Sequence, residues 1–109
     1  MNSEKYRPFK NSLLTFHDHI PSFLDGTDNP REYLERCLAQ IDLLESKVKA
    51  FVVMNVESAR KAADESSKRY QDGKPLSIID GMPFGVKDLY ETIDMKTQMN
   101  SPVYKDWQG

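Results

Sequence analysis

The sequence predicts an α/β fold in which N-terminal helices cover the first strands of an incomplete mixed sheet. Three observations predict it. Residues 34–48 carry apolar side chains at three- and four-residue spacing behind a helix-start signal. Ala50-Phe51-Val52-Val53-Met54 is a short continuous apolar run rich in β-branched and aromatic residues, too short for a helix and suited to a strand buried on both faces. Ile78 to Asp88 is a second extended segment, punctuated by Gly81, Pro83 and Gly85 and ending in Val86-Lys87-Asp88. The implied order is helix, strand, helix, strand, strand.

Each element follows from its residues. In the first part of the chain Leu13, Leu14, Phe16, Ile20, Phe23 and Leu24 offer an apolar stripe that Pro21 interrupts and Gly26 ends, so residues 1–28 read as a leader with short helical turns. Asn29 is then placed as an N-cap, with Pro30 at the first helical position and Glu32 at the third. Leu34, Cys37, Leu38, Ile41, Leu44 and Val48 follow on one face, which predicts a helix over 30–47. After the 50–54 run, Asn55 caps a second helix along which Ala59, Ala62, Ala63, Ser66 and Tyr70 share a face, with Gly73 as its C-terminal glycine. Tyr90 to Thr97 offers a further short extended segment. Tyr104 and Trp107 arrive with no cap or turn to finish a domain, and two or three strands alone would leave sheet edges unpaired, so the pattern reads as that of an incomplete domain over 29–109.

Bulk properties exclude several functions. Fifteen basic against seventeen acidic residues give a net charge of -2, so no strong field draws the chain to nucleic acid or an anionic membrane. The one cysteine, Cys37, excludes an internal disulfide and cysteine-cluster metal sites and reads as core filler on the first helix. No stretch approaches the roughly 18 apolar residues of a membrane span, and residues 1–10 do not resemble a signal peptide, which points to a cytoplasmic protein.

The segment Gly81-Met82-Pro83-Phe84-Gly85-Val86-Lys87-Asp88-Leu89 is the most distinctive. A lysine near the end of a buried strand is desolvated, which favours its neutral amine, and a neutral amine can serve as general base for a serine nucleophile. The other reading of Lys87 is a surface ion pair with Asp88 or Asp80 at a strand end, as suits a mostly solvated residue type.

From about Pro30 to Trp107 the chain resembles the N-terminal part of the amidase signature family. The likeness is carried by Glu35-Arg36-Cys37-Leu38-Ala39-Gln40-Ile41, by Lys49-Ala50-Phe51-Val52 and the alanine-rich helix after it, and by Gly73-Lys74-Pro75-Leu76. It continues through Gly81 to Asp88 and through Met95-Lys96-Thr97-Gln98-Met99-Asn100-Ser101-Pro102, in the family's order and spacing. The resemblance implies a serine hydrolase that cleaves a carboxylic amide to acid plus ammonia or amine. Its machinery is a nucleophilic serine, a bridging serine in a cis peptide and a lysine, which Lys87 matches. It implies no metal or organic cofactor, and a small amide as substrate of the complete enzyme. The glycine- and serine-rich run that bears both serines does not occur in this sequence. A lone base is expected to give no turnover, because such groups act as a unit. A fragment of a glutamyl-tRNA amidotransferase-like amidase subunit fits the same resemblance, and so does a non-catalytic interaction or regulatory remnant.

Three weaker patterns remain. Ser58-Ala59-Arg60-Lys61 has the Ser-x-x-Lys spacing of penicillin-recognising enzymes without their other motifs. His17-Asp18-His19 pairs two imidazoles without a clear third ligand and reads as a solvated turn, and Asn100-Ser101-Pro102 reads as loop.

Overall fold

The computed structural model describes residues 15–108. The remainder of the leader, including Leu13 and Leu14 of its stripe, and Gly109 lie outside the described residues. The elements are three α-helices, α1 (Phe16–Asp25), α2 (Pro30–Val48) and α3 (Val56–Gln71), and one 3-10 turn at Pro102–Tyr104.

Local capping chemistry sets the helix ends. Thr15 and Asp18 form a reciprocal capping box at the start of α1. Asn29 Oδ1 accepts the Glu32 N–H at 2.9 Å with Pro30 beside it at the first helical position, as expected. Asn55 Oδ1 accepts the Ser58 N–H at 3.2 Å to open α3. At the far end of α3 the Lys74 N–H bonds the Arg69 carbonyl and the Gly73 N–H the Tyr70 carbonyl, a Schellman closure that needs Gly73 at its φ of 71°.

Pro21 lies inside α1 rather than ending it. An internal proline costs about 3 kcal/mol, but the same helix buries Phe16 and Phe23, each worth about 1.5–3 kcal/mol. Packing therefore outweighs the missing backbone bond. Phe23 meets Tyr70 of α3 with ring centres 5.5 Å apart, and Phe16 meets Tyr33 of α2 edge-on at 5.3 Å. These aromatics, with Ile20 alongside, form the core.

Helices α2 and α3 run antiparallel. Arg31 reaches Asp64 at 2.6 Å while Arg60, four residues back along α3, reaches Glu35 at 2.7 Å, and the Arg31 N–H donates to Ser67 Oγ at 3.0 Å. The ion pairs are exposed and set register more than stability. Pro30 and Leu34 of α2 and Ala63 of α3 are the buried apolar residues of these helices outside the aromatic cluster.

The α/β expectation is corrected: among the described residues there is no strand and no sheet, and the regular structure is helical. Residues 50–54, expected as a strand buried on both faces, are irregular and exposed. The 78–88 and 90–97 segments hold only turns and irregular backbone as well. The reason is that a strand is not a local structure. Its backbone bonds must come from a neighbour, and its apolar side chains need a layer on each face. Helices close their own bonds from residues four apart, so they form here without further chain. For the same reason Ala63, Ser66 and Tyr70 on the α3 stripe are buried while Ala59 and Ala62 stay exposed, having no sheet to cover them.

Candidate functional site

The segment that carries Lys87 is pinned to the helices at its start. Asp80 is buried, its side chain only 2% exposed, and it binds the Arg69 guanidinium through both oxygens, at 2.8 and 2.6 Å. Asp80 Oδ2 also accepts the Leu76 N–H at 2.9 Å, and the Tyr70 hydroxyl donates to the Asp80 carbonyl at 3.0 Å. The Arg69 bonds, assisted by the Leu76 amide, hold the Asp80 carboxyl down at about 2 against their desolvating burial. The next residue, Gly81, sits at φ 84° against α2 and α3: a Cβ there would lie 2.5 Å from Ser66 Oγ and 2.6 Å from Pro30 Cβ. Only glycine fits that seat.

From this anchor the chain runs out along an open groove of about 930 Å³. One wall is the apolar face of α2, with Leu38 and Ile41; the others are α3, the 50–54 run, the 81–88 segment with Lys87 and Asp88, and residues between 90 and 100. The Phe51 ring lies 3.8 Å from the point a Cβ on Gly85 would occupy, so the two extended runs meet there, although no backbone bond joins them. Cys37 stands half-buried on the same wall, and burial pushes its thiol up, which suits a packing role.

Lys87 itself is exposed and lies in irregular backbone, not at the end of a buried strand. Neither expected ion-pair partner is available to it in the anticipated way. Asp80 is taken by Arg69, and Asp88 Oδ1 accepts the Gln98 N–H at 2.8 Å while Oδ2 is buried with no donor among the described residues.

The chain's other candidates are scattered. Ser58 and Lys61 are both exposed in the first half of α3. His17, Asp18 and His19 lie in α1 rather than in a solvated turn. Asp18 serves the capping box, and His19 Nδ1 stands 3.5 Å from Asp28. No cluster of three or more metal-ligating side chains occurs among the described residues. Ser101 caps the 3-10 turn. Tyr104 and Trp107 are partly exposed, and the Trp107 indole donates to Glu91 at 2.8 Å.

The family model described as Amidase matches residues 32–108, which include the helical hairpin, the groove and Lys87. The chain belongs to the amidase family. Curated amidase-family relatives agree. A mitochondrial glutamyl-tRNA(Gln) amidotransferase subunit of Ornithorhynchus anatinus is 36% identical over 95 residues, which is 86% of this chain and 18% of the relative. The corresponding protein of Leptospira interrogans is 31% identical over 100 residues, 92% of this chain and 20% of the relative. The Homo sapiens mitochondrial counterpart is 34% identical over 82 residues, 75% of this chain and 15% of the relative. This amidase-family chain therefore spans a fifth or less of the length of these relatives. No solved structure matches it significantly. Among the described residues no helix is long and apolar enough to cross a membrane.

What sequence reasoning missed in this amidase segment is its anchoring. Gly81 reads in the sequence only as punctuation of the extended segment and Asp80 only as an ion-pair partner for Lys87, although an Asp-Gly pair is a signal for a backbone position that needs positive φ. Asp88 and Thr97 stand in the runs that carry the family resemblance, but nothing in their spacing shows that they tie the chain just beyond Lys87.

Proposed function

We propose that this chain supplies the lysine base of an amidase that hydrolyses a carboxylic amide to acid plus ammonia or amine. The observation that carries the reading is the family match over 32–108, within which the Gly81–Asp88 run brings Lys87 to the wall of the groove. In this reading the Lys87 amine takes a proton through a bridging serine from the nucleophilic serine. The serine oxygen attacks the amide carbon, the leaving nitrogen departs with a proton, and water then cleaves the acyl-enzyme. The run that bears the two serines is not in this sequence, so the reading assigns Lys87 one of three groups and gives the 109 residues alone no turnover.

A second reading is favoured by the relatives' printed names: the amide is that of glutamine, and the ammonia serves a transfer-RNA-dependent amidation. Both readings share the base and the bond cleaved.

Ammonia release is measured over a panel of small amides that includes glutamine, for the 109-residue chain and for the chain extended along its coding frame, each with Lys87→Ala. Activity is expected only in the extended protein, with a loss on the order of 10³-fold or more in Lys87→Ala. Activity of the short chain that survives Lys87→Ala would overturn the assignment.

A further inference from the structure

Lys87 is fixed from both sides, and the two sides differ. Ahead of it, Asp80 and Gly81 dock on the helices, seven and six residues away. Behind it, the restraint starts at the next residue. Asp88 Oδ1 accepts the Gln98 N–H at 2.8 Å, and Thr97 Oγ1 donates to the Tyr90 carbonyl at 3.0 Å. The Thr97 N–H in turn donates to the Trp107 carbonyl at 2.9 Å. Residues 88–98 are thereby closed into a loop whose neck is two side chains, and Thr97, 1% exposed, is among the most buried residues of the molecule. The Lys87 carbonyl accepts the Leu89 and Tyr90 N–H groups at 2.7 and 3.1 Å.

Asp88 holds this place against its own solvation. Its Oδ2 is buried with no donor among the described residues, whereas an aspartate free to turn would give that oxygen to water. The bond to Gln98 and the closed loop are what keep it there.

We infer that Asp88 is a positioning residue for Lys87, acting through the Asp88–Gln98 clamp, which holds the Lys87 backbone where the amine can meet a nucleophile across the groove. The inference rests on the proposed role of Lys87. Its mechanism is geometric, since displacing a reacting group by an ångström costs on the order of 10²-fold in rate without loss of substrate binding. Asparagine at 88 keeps the accepting oxygen, and alanine removes it.

The experiment compares Asp88→Ala, Asp88→Asn and Lys87→Ala in the extended amidase, with turnover normalised to folded protein. Gln98 backbone amide exchange is followed in the 109-residue chain. Asp88→Ala is expected to lower kcat on the order of 10²-fold with KM within about twofold, and Asp88→Asn to recover to within about threefold of the parent. The Gln98 amide should be protected in the parent and in Asp88→Asn and exchange fast in Asp88→Ala. Three results would overturn the inference: parental kcat in Asp88→Ala, no recovery in Asp88→Asn while Gln98 stays protected, or a Gln98 amide that exchanges equally fast in the parent and Asp88→Ala. If Lys87→Ala retains activity, the base reading has failed; if Lys87→Ala is inactive and Asp88→Ala is not, only the clamp has.

Discussion

Replacing Asp80 by asparagine tests the anchor that joins the helices to the Lys87 segment. The Asp80 carboxyl falls from an ordinary 3.8 to about 2, the largest contribution coming from Arg69. A tenfold change in proton affinity is worth about 1.4 kcal/mol, so the pairing contributes about 2 kcal/mol at neutral pH. The side chain is 2% exposed, so solvent screens little of this. Because the folded value lies below the unfolded one, the contribution is complete above about pH 5 and is lost as the pH falls through about 4 to 2. Asp80→Asn is therefore expected to be less stable than the parent by about 2 kcal/mol at pH 7, with the gap closing toward zero at pH 2. Urea unfolding followed by circular dichroism at steps between pH 7 and 2 measures it. Asp18, Asp25, Asp28 and Glu35, which are also held below their usual range by hydrogen bonds, are common to both proteins and cancel in the difference. A gap that stays constant with pH, or widens as the pH falls, would refute the buried ion pair.

Two further substitutions probe the packing. Gly81→Ala adds a Cβ against Ser66 and Pro30 in left-handed backbone, and the strain of about 1–2 kcal/mol plus overpacking of about 1–3 kcal/mol should lower the thermal midpoint sharply; an unchanged midpoint would mean that Gly81 does not dock there. Phe23→Ala should cost about 3–5 kcal/mol in urea unfolding, because the ring is 2% exposed and touches Tyr70; a loss under about 1 kcal/mol would show that α1 is not packed into the core.

What was legible in the sequence was what is decided locally. The Asn29-Pro30 start, the Asn55 cap and the Gly73 closure depend on residues within a few positions of one another, and each stands where its spacing placed it. Pro21 misled because the burial that outweighs it comes from Tyr33 and Tyr70, well along the chain. Phe51–Met54 misled because its β-branched content describes a side-chain preference, while strand formation depends on partners that the described residues do not supply. At the site, Lys87 could be singled out through the family motif. The pairing of Asp80 with Arg69 and of Asp88 with Gln98 could not, since each joins residues about ten apart through irregular backbone with no periodicity to read.

The two extended runs along the groove also shape how the isolated chain behaves in solution. Among the amides of Phe51–Met54 only that of Phe51 is bonded, to the Glu45 carboxylate, and no amide from Phe84 to Lys87 has a partner among the described residues. Val52, Val53, Phe84 and Val86 are exposed beside them. Unpaired backbone amides flanked by exposed β-branched and aromatic side chains are places where another chain can pair. Association of the free polypeptide is therefore expected to rise with its concentration, and Val52→Lys or Phe84→Lys is expected to reduce it.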